Sequence, residues 1–197
     1  MTRSVLFDPE HLADERRALY DELRSGPRAD PDRPGGPVDS RGRLTGPFNA
    51  MLHSPRVGGP LQRLGAALRY ESSIDDRVRE MAILLVAGRH DCAVERITHQ
   101  RIARDIGISE ETIGTLERGE VPASFDDGTH VTAAAALELA ERMLDREPPD
   151  DAGFERLQKV LGPDGVFEVS SLVGYYWTLA HQLNLFAVEP IEDRSEA

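Results

Sequence analysis

The stretch that decides the fold reads Glu80-Met81-Ala82-Ile83-Leu84-Leu85-Val86-Ala87. This run is apolar nearly all round, which is typical of a helix that is buried on every side. A strand could show the same short apolar run, but the chain has no second β-rich, turn-bounded segment that could pair with it. We therefore predict that residues 74–89 form the most buried helix of the protein, capped by Ser73 with Asp76 three residues later.

A second helix is predicted directly after the first, over residues 92–106. It carries Cys92, Glu95 and His99, whose spacing of three and four residues places them on one stripe of a helix. A short turn joins the two helices, so an antiparallel hairpin would bring Glu80 back toward this stripe. The sequence thus predicts a thiol, two carboxylates and an imidazole on one surface.

Helical patterns continue through most of the remaining chain, and the fold class predicted is all-α. Residues 1–44 are predicted to form an N-terminal helix followed by a Pro/Gly-rich loop, residues 45–190 a helical domain, and residues 191–197 a frayed tail. Further helices are predicted at residues 8–24 with Asp8 as cap, 48–52, 55–70, after Ser109, 131–144, 154–161 and 164–186.

The composition of the chain argues against nucleic-acid and membrane partners. The 197 residues are 40% hydrophobic and carry a net charge of −12, which opposes binding to phosphate-rich nucleic acid. Residues 102–113 resemble a DNA-binding helix-turn-helix, but the carboxylates of Glu110, Glu111 and Glu117 would repel the phosphates of DNA. No stretch approaches the roughly 20 apolar residues of a membrane span, and no signal-like run opens the chain. With one cysteine, which fits a reducing compartment, we expect a cytoplasmic protein without membrane or nucleic-acid partners.

Simpler interpretations of the motif residues stand beside the functional one. A lone helical cysteine such as Cys92 is most often a small buried hydrophobe. A glutamate four residues before a histidine is usually a solvated surface pair. The histidines without comparable partners are predicted to be structural or surface residues; they are His53, His90, His130 and His181.

The pattern E-x-A-I-L-x-V-A followed by C-x-x-E-x-x-x-H resembles the core of the carboxymuconolactone decarboxylase family and of its relative alkyl hydroperoxidase D (AhpD). In AhpD, two cysteines stand at the positions held here by Cys92 and Glu95, the family histidine matches His99, and the upstream glutamate matches Glu80. The flanks at residues 46–55 and 173–186 also resemble longer members, so the likeness spans roughly residues 44–189. It implies an AhpD-like helical bundle.

One departure from AhpD decides the implied chemistry. AhpD-type peroxidase activity needs a Cys-x-x-Cys pair, in which one thiolate attacks and the other resolves the sulfenic acid. Glu95 replaces the second cysteine, so an internal redox cycle is chemically impossible. The resemblance then implies a cofactor-free decarboxylase for a small lactone or related carboxylated carbonyl compound. His99 is its natural proton donor, with Glu95 or Glu80 orienting it or acting as the acid instead.

An alternative from the redox class is a one-cysteine thiol peroxidase of peroxiredoxin type. Cys92 is predicted at a helix N-terminus, where the helix dipole would lower the pKa of its thiol. An external thiol would then restore the enzyme. For either activity, the resemblance implies a small-molecule substrate and a homo-oligomer, trimeric or built from trimers, with no metal.

Overall fold

The computed structural model describes residues 3–26, 38–124 and 130–190, and within these ranges the protein is all-α, as predicted. The described segments contain no strand, only an isolated bridge between Val38 and Leu44. None of their helices is both long and apolar enough to cross a membrane. After a 3₁₀ turn at Pro9–His11, the described α-helices are α1 (Asp14–Ser25), α2 (Gly46–Met51), α3 (Pro55–Tyr70), α4 (Asp76–Arg89), α5 (Ala93–Asp105), α6 (Glu110–Glu117), α7 (His130–Asp145) and α8 (Asp151–Leu185).

Helix α4 lies at the centre of the core. Every residue from Val78 to Ala87 is buried, and the helix packs against α5, α6, α7 and α8. An amphipathic helix could not occupy this position, because one of its faces would place polar groups against apolar neighbours. The prediction that this is the most buried helix is confirmed.

Helices α4 and α5 form the predicted antiparallel hairpin. The Arg77 guanidinium, in the first turn of α4, donates to the carbonyl of Ile106 at 2.9 Å and to that of Gly107 at 3.1 Å. These carbonyls lie at the far end of α5, so the start of one helix is beside the end of the other. Gly107 has a φ of +79°, the left-handed conformation expected of a glycine that ends a helix.

The predicted cap of α4 is wrong by two residues. Asp75 caps the helix, since its side chain accepts from the backbone N–H groups of Arg77 and Val78. Ser73 instead donates its N–H and its hydroxyl to Glu168 of α8, at 2.9 and 2.7 Å. Asp75 adjoins the first turn directly, so Ser73 is left to tie this loop to α8.

The N-terminal segment forms a 3₁₀ turn and a separate helix, α1, where one helix was predicted over residues 8–24. Asp8 caps as expected, accepting from the N–H of Glu10 at 2.9 Å, but only for the 3₁₀ turn. Leu12 and Ala13 are then extended, and α1 begins at Asp14. Leu12 packs against the core, and the acidic residues at the start of α1 suit a new helix N-terminus.

Helix α1 and helix α8 lie toward the two ends of the described chain. The side chains of α1 that face inward join the same apolar core as α4; they are Leu19, Tyr20 and Leu23. The two helices predicted at residues 154–161 and 164–186 form α8, with a break at Gly162 (φ +73°, ψ 165°) ahead of Pro163. Most of the predicted Pro/Gly-rich loop, residues 27–37, and the predicted tail, 191–197, lie outside the described residues.

The junction of α4 with α6 gives a stability prediction. A Cβ added at Gly88 would collide with the carbonyl of Leu116 and lie 2.7 Å from Glu117 O and Gly119 N, all backbone atoms that cannot rotate away. We expect Gly88→Ala to lower the free energy of unfolding by about 1–3 kcal/mol. The midpoint of thermal unfolding should fall by roughly 2–4 °C for each kcal/mol lost.

Gly114→Ala, in α6, is the matched control. Its added Cβ would meet only the flexible Arg118 side chain, at 3.7 Å. Since alanine is favoured over glycine in a helix by roughly 0.5–1 kcal/mol, this variant should unfold at or above the temperature of the unmodified protein. Equal melting temperatures for the two variants would contradict the close contact of α4 with α6.

Candidate active site

Three of the four residues singled out in the sequence come together between α4 and α5. The Nδ1 atom of His99 lies 2.5 Å from Glu80 Oε2, and its Nε2 atom lies 3.2 Å from Glu95 Oε2. Glu80, Glu95 and His99 are 0%, 5% and 4% exposed, so the contacts are shielded from solvent. We call these three residues the proton cluster.

The proton cluster is satisfied only when it holds an additional proton. An ionised carboxylate accepts hydrogen bonds and donates none, whereas a neutral imidazole has one N–H and one lone pair. Both nitrogens of His99 face carboxylates, so a neutral ring would direct its lone pair at a negative oxygen. The arrangement therefore requires either an imidazolium or a protonated carboxyl group.

The electrostatic environment places this proton on His99. Burial by itself lowers the pKa of His99, but the charge and hydrogen bond of Glu80, helped by Glu95, outweigh it and raise that pKa above its usual value. Burial likewise raises the pKa of Glu80, and the charge and hydrogen bond of His99 outweigh it and lower that pKa. The two directions agree on an ion pair of imidazolium and carboxylate.

Two arginines support the second oxygen of Glu80. Arg69 Nη1 lies 3.4 Å from Glu80 Oε1 and Arg79 Nε lies 3.8 Å from it, while no hydrogen bond within the described residues reaches that oxygen. Both guanidinium charges lower the pKa of Glu80 further. Arg79 is itself held by Asp76 at 2.6 Å.

Tyr176 of α8 closes the proton cluster from the other side. Its ring meets that of His99 edge to face, with centroids 5.3 Å apart and planes at 89°. Its hydroxyl hydrogen-bonds with Arg69, and burial raises the pKa of Tyr176, so the phenol remains neutral. Sequence reasoning missed Arg69, Arg79 and Tyr176 as site residues, because none stands at a helical spacing from the motif.

Cys92 occupies a different environment. It is the N-cap of α5, fully buried, in an apolar cluster with Ala180 and Leu183 of α8. Burial raises the pKa of its thiol to about 11, with the charge of Glu95 acting in the same direction. The expectation that the helix N-terminus lowers this pKa is wrong, because loss of solvent outweighs the favourable backbone N–H groups.

Comparisons with known proteins agree with this architecture. Residues 55–141 match the Carboxymuconolactone decarboxylase family. A peroxidase-related protein from Silicibacter sp. TM1040 aligns over 96% of this chain and 92% of its own, with a TM-score of 0.70 and 15% identity. An AhpD-core, peroxidase-related protein from Ralstonia eutropha JMP134 aligns over 97% and 93%, with a TM-score of 0.69 and 15% identity.

A third solved structure, that of the debrominase Bmp8, aligns over 91% of this chain and 87% of its own, with a TM-score of 0.62 and 11% identity. At these identities the structures show a shared fold. The curated proteins contain no significant sequence match. The matched segment includes Glu80, Cys92, Glu95 and His99, so residues 55–141 are similar to the carboxymuconolactone decarboxylase family, as the motif predicted, and the helical fold is shared with AhpD-like proteins.

Proposed function

We propose that this protein is a cofactor-free decarboxylase for a small lactone or related carboxylated carbonyl compound, with the proton cluster as its acid. The observation that carries the proposal is His99 held between the two buried carboxylates of Glu80 and Glu95. Such a cluster holds a proton in a shielded site, which is what a general acid requires. The match of residues 55–141 to the carboxymuconolactone decarboxylase family supports the choice of decarboxylation.

The reaction needs one bond broken and one proton delivered. When the carbon–carbon bond to the carboxylate breaks, carbon dioxide leaves and the electron pair flows into the conjugated carbonyl, giving an enolate. The proton cluster then protonates the enolate carbon, and a proton from solvent restores it. Arg69 and the Tyr176 hydroxyl supply donors beside the cluster for the negative oxygen.

The two carboxylates take different roles in this scheme. Glu80 is fully buried, and both of its oxygens face cationic groups, so it holds His99 in place and keeps it protonated. Glu95 contacts the opposite nitrogen and is slightly exposed. The proton therefore leaves from the Nε2 side, either from His99 itself or through the Glu95 carboxylate that contacts this nitrogen.

The alternative function is a one-cysteine thiol peroxidase that uses Cys92. It is favoured by the position of this cysteine in the motif and by the peroxidase-related names of two structures with the same fold. Against it stands the chemistry of the thiol, because a pKa of about 11 leaves little thiolate at neutral pH. The chain also lacks a second cysteine to resolve a sulfenic acid.

Substitutions in the motif distinguish the two functions. A positioned general acid contributes about 10²- to 10⁴-fold to the rate, so His99→Gln should lose most of the turnover. Glu95→Gln should also be severe, since it removes a charge that keeps His99 protonated, whereas Cys92→Ala should be mild. The measurement is carbon dioxide release from a panel of lactones and β-keto acids.

A thermal melt of each variant separates lost chemistry from lost folding. If folded Cys92→Ala is as inactive as His99→Gln, the thiol is the nucleophile and the decarboxylase proposal is wrong. Inactivity of the unmodified protein on every lactone and β-keto acid, together with peroxide turnover in a thiol-coupled assay, would favour the peroxidase.

The ion pair also predicts how stability depends on pH. The pKa of His99 in the folded protein is raised above 6.5, so its contribution is complete below pH 6.5 and is lost as the pH rises through the folded value. The pKa of Glu80 is lowered below 4.5, so its contribution is present above pH 4.5 and is lost as the pH falls through the folded value. The stabilisation should be greatest between these two limits.

Thermal melts of the unmodified protein and of His99→Gln from pH 5 to pH 9 provide the measurement. The difference in melting temperature should be largest near pH 5–6 and should shrink at alkaline pH. A difference that is constant across this range would show that His99 is not the protonated member of the pair.

We further propose that the protein acts as a homo-oligomer, trimeric or built from trimers, as the family resemblance implies. Several large apolar side chains are exposed on the single chain, among them Phe167 (73% exposed), Val131 and Leu185. Burying such side chains between copies would remove them from water. Light scattering at micromolar concentration should report the oligomer, and a monomer alone would contradict it.

A further inference from the structure

Two histidines that the sequence left as structural or surface residues lie side by side outside the proton cluster. His90 is the C-cap of α4, and His181 belongs to α8. Their ring centroids are 4.8 Å apart, and their planes are tilted by 59°. The two residues are far apart in the sequence, and the packing of α4 against α8 brings them together.

This separation fits two imidazoles that share one metal ion. With metal–nitrogen bonds of about 2.0–2.1 Å and angles between right-angled and tetrahedral, two ligating rings have centroids roughly 4.5–5 Å apart. A packing contact between the rings does not require either ring to have a nitrogen without a hydrogen-bond partner. The state of those nitrogens therefore decides between a packing contact and a binding site.

Among the described residues, one nitrogen of each ring has no hydrogen-bond partner. His181 Nδ1 lies 2.9 Å from the carbonyl oxygen of Trp177, so Nδ1 carries the hydrogen and Nε2 keeps its lone pair. A backbone carbonyl orients metal-binding histidines in the same way. His90 Nε2 is buried and has no hydrogen-bond partner among the described residues, which in a native protein calls for an explanation.

Two contacts hold His90 in place. Asn184 Nδ2 donates to the backbone carbonyl of His90 at 2.8 Å, and the Trp177 indole stacks on its ring, with centroids 5.8 Å apart and planes at 19°. The ring is therefore fixed beside His181 by packing against α8.

We infer that His90 and His181 bind one divalent late transition-metal ion through their Nε2 atoms. Imidazole nitrogens suit Cu²⁺, Ni²⁺ and Zn²⁺, and water would fill the remaining coordination positions. The indole Nε1 of Trp177 is also buried without a partner among the described residues, and a metal-bound water would provide its acceptor. The ion would fasten the end of α4 to α8, and the inference is independent of the proposed decarboxylase activity.

The position of Trp177 supplies a local readout. It is the only tryptophan of the chain, and it contacts both histidines. Titration with Cu²⁺ should quench its fluorescence with a stoichiometry of one ion per chain. Removing even an outer partner of a metal site weakens binding by about 10- to 100-fold, so His90→Gln and His181→Gln should each require at least about tenfold more Cu²⁺.

His11→Gln is the matched control, because His11 is exposed and its ring pairs with Asp8 alone among the described residues. This variant should be quenched at the same Cu²⁺ concentration as the unmodified protein. Quenching of His90→Gln and His181→Gln at that same concentration would overturn the inference and identify the ion as adventitious.

Thermal melting with Zn²⁺ gives a second measurement that does not depend on fluorescence. A ligand that binds only the folded protein raises its melting temperature. Zn²⁺ should therefore raise the melting temperature of the unmodified protein and of His11→Gln, but not that of His181→Gln. The side chain of His181 is exposed, so this variant keeps the test decisive even if His90→Gln folds poorly. An equal rise in all three proteins would contradict the site.

Discussion

A carboxylate taken from water into a protein interior costs several kcal/mol unless charges and hydrogen bonds replace its solvent. Glu80 is subject to this penalty in full, because its side chain is completely buried in the central helix of the core. Its position is tolerable only while His99, Arg69 and Arg79 surround it. Through these contacts, the Glu80 side chain links α4 to α5 and to the end of α3.

The same requirement explains why the motif is spread over a hairpin. His99 must reach Glu80 with one nitrogen, so α5 must return antiparallel to α4, and the bonds from Arg77 to the end of α5 hold that register. Once the ring is fixed, its other nitrogen faces the residue one turn earlier, which is Glu95. Geometry required by burial therefore produces the pair of carboxylates that holds a proton.

Local patterns were sufficient to predict the hairpin and the three residues of the proton cluster. The apolar run indicated a buried α4, and the spacing of four residues placed Glu95 beside His99. Spacing could not reveal Arg69 or Tyr176, because these residues lie on other helices, α3 and α8, and meet the cluster only through packing. The contact between His90 and His181 could not be predicted from the sequence for the same reason.

The sequence also could not predict how burial and neighbouring charge change the pKa of a side chain, as Cys92 shows. A helix N-terminus alone favours the thiolate, but packing against α8 removes the solvent that a thiolate needs. Glu95 adds to both effects: its charge raises the pKa of the Cys92 thiol and helps to raise that of His99. A glutamate at the position of the second AhpD cysteine thus removes the resolving thiol, disfavours the remaining thiolate and keeps a proton on the imidazole. With one side chain, a fold shared with peroxidase-related proteins would thus be suited to the proton transfer that we propose.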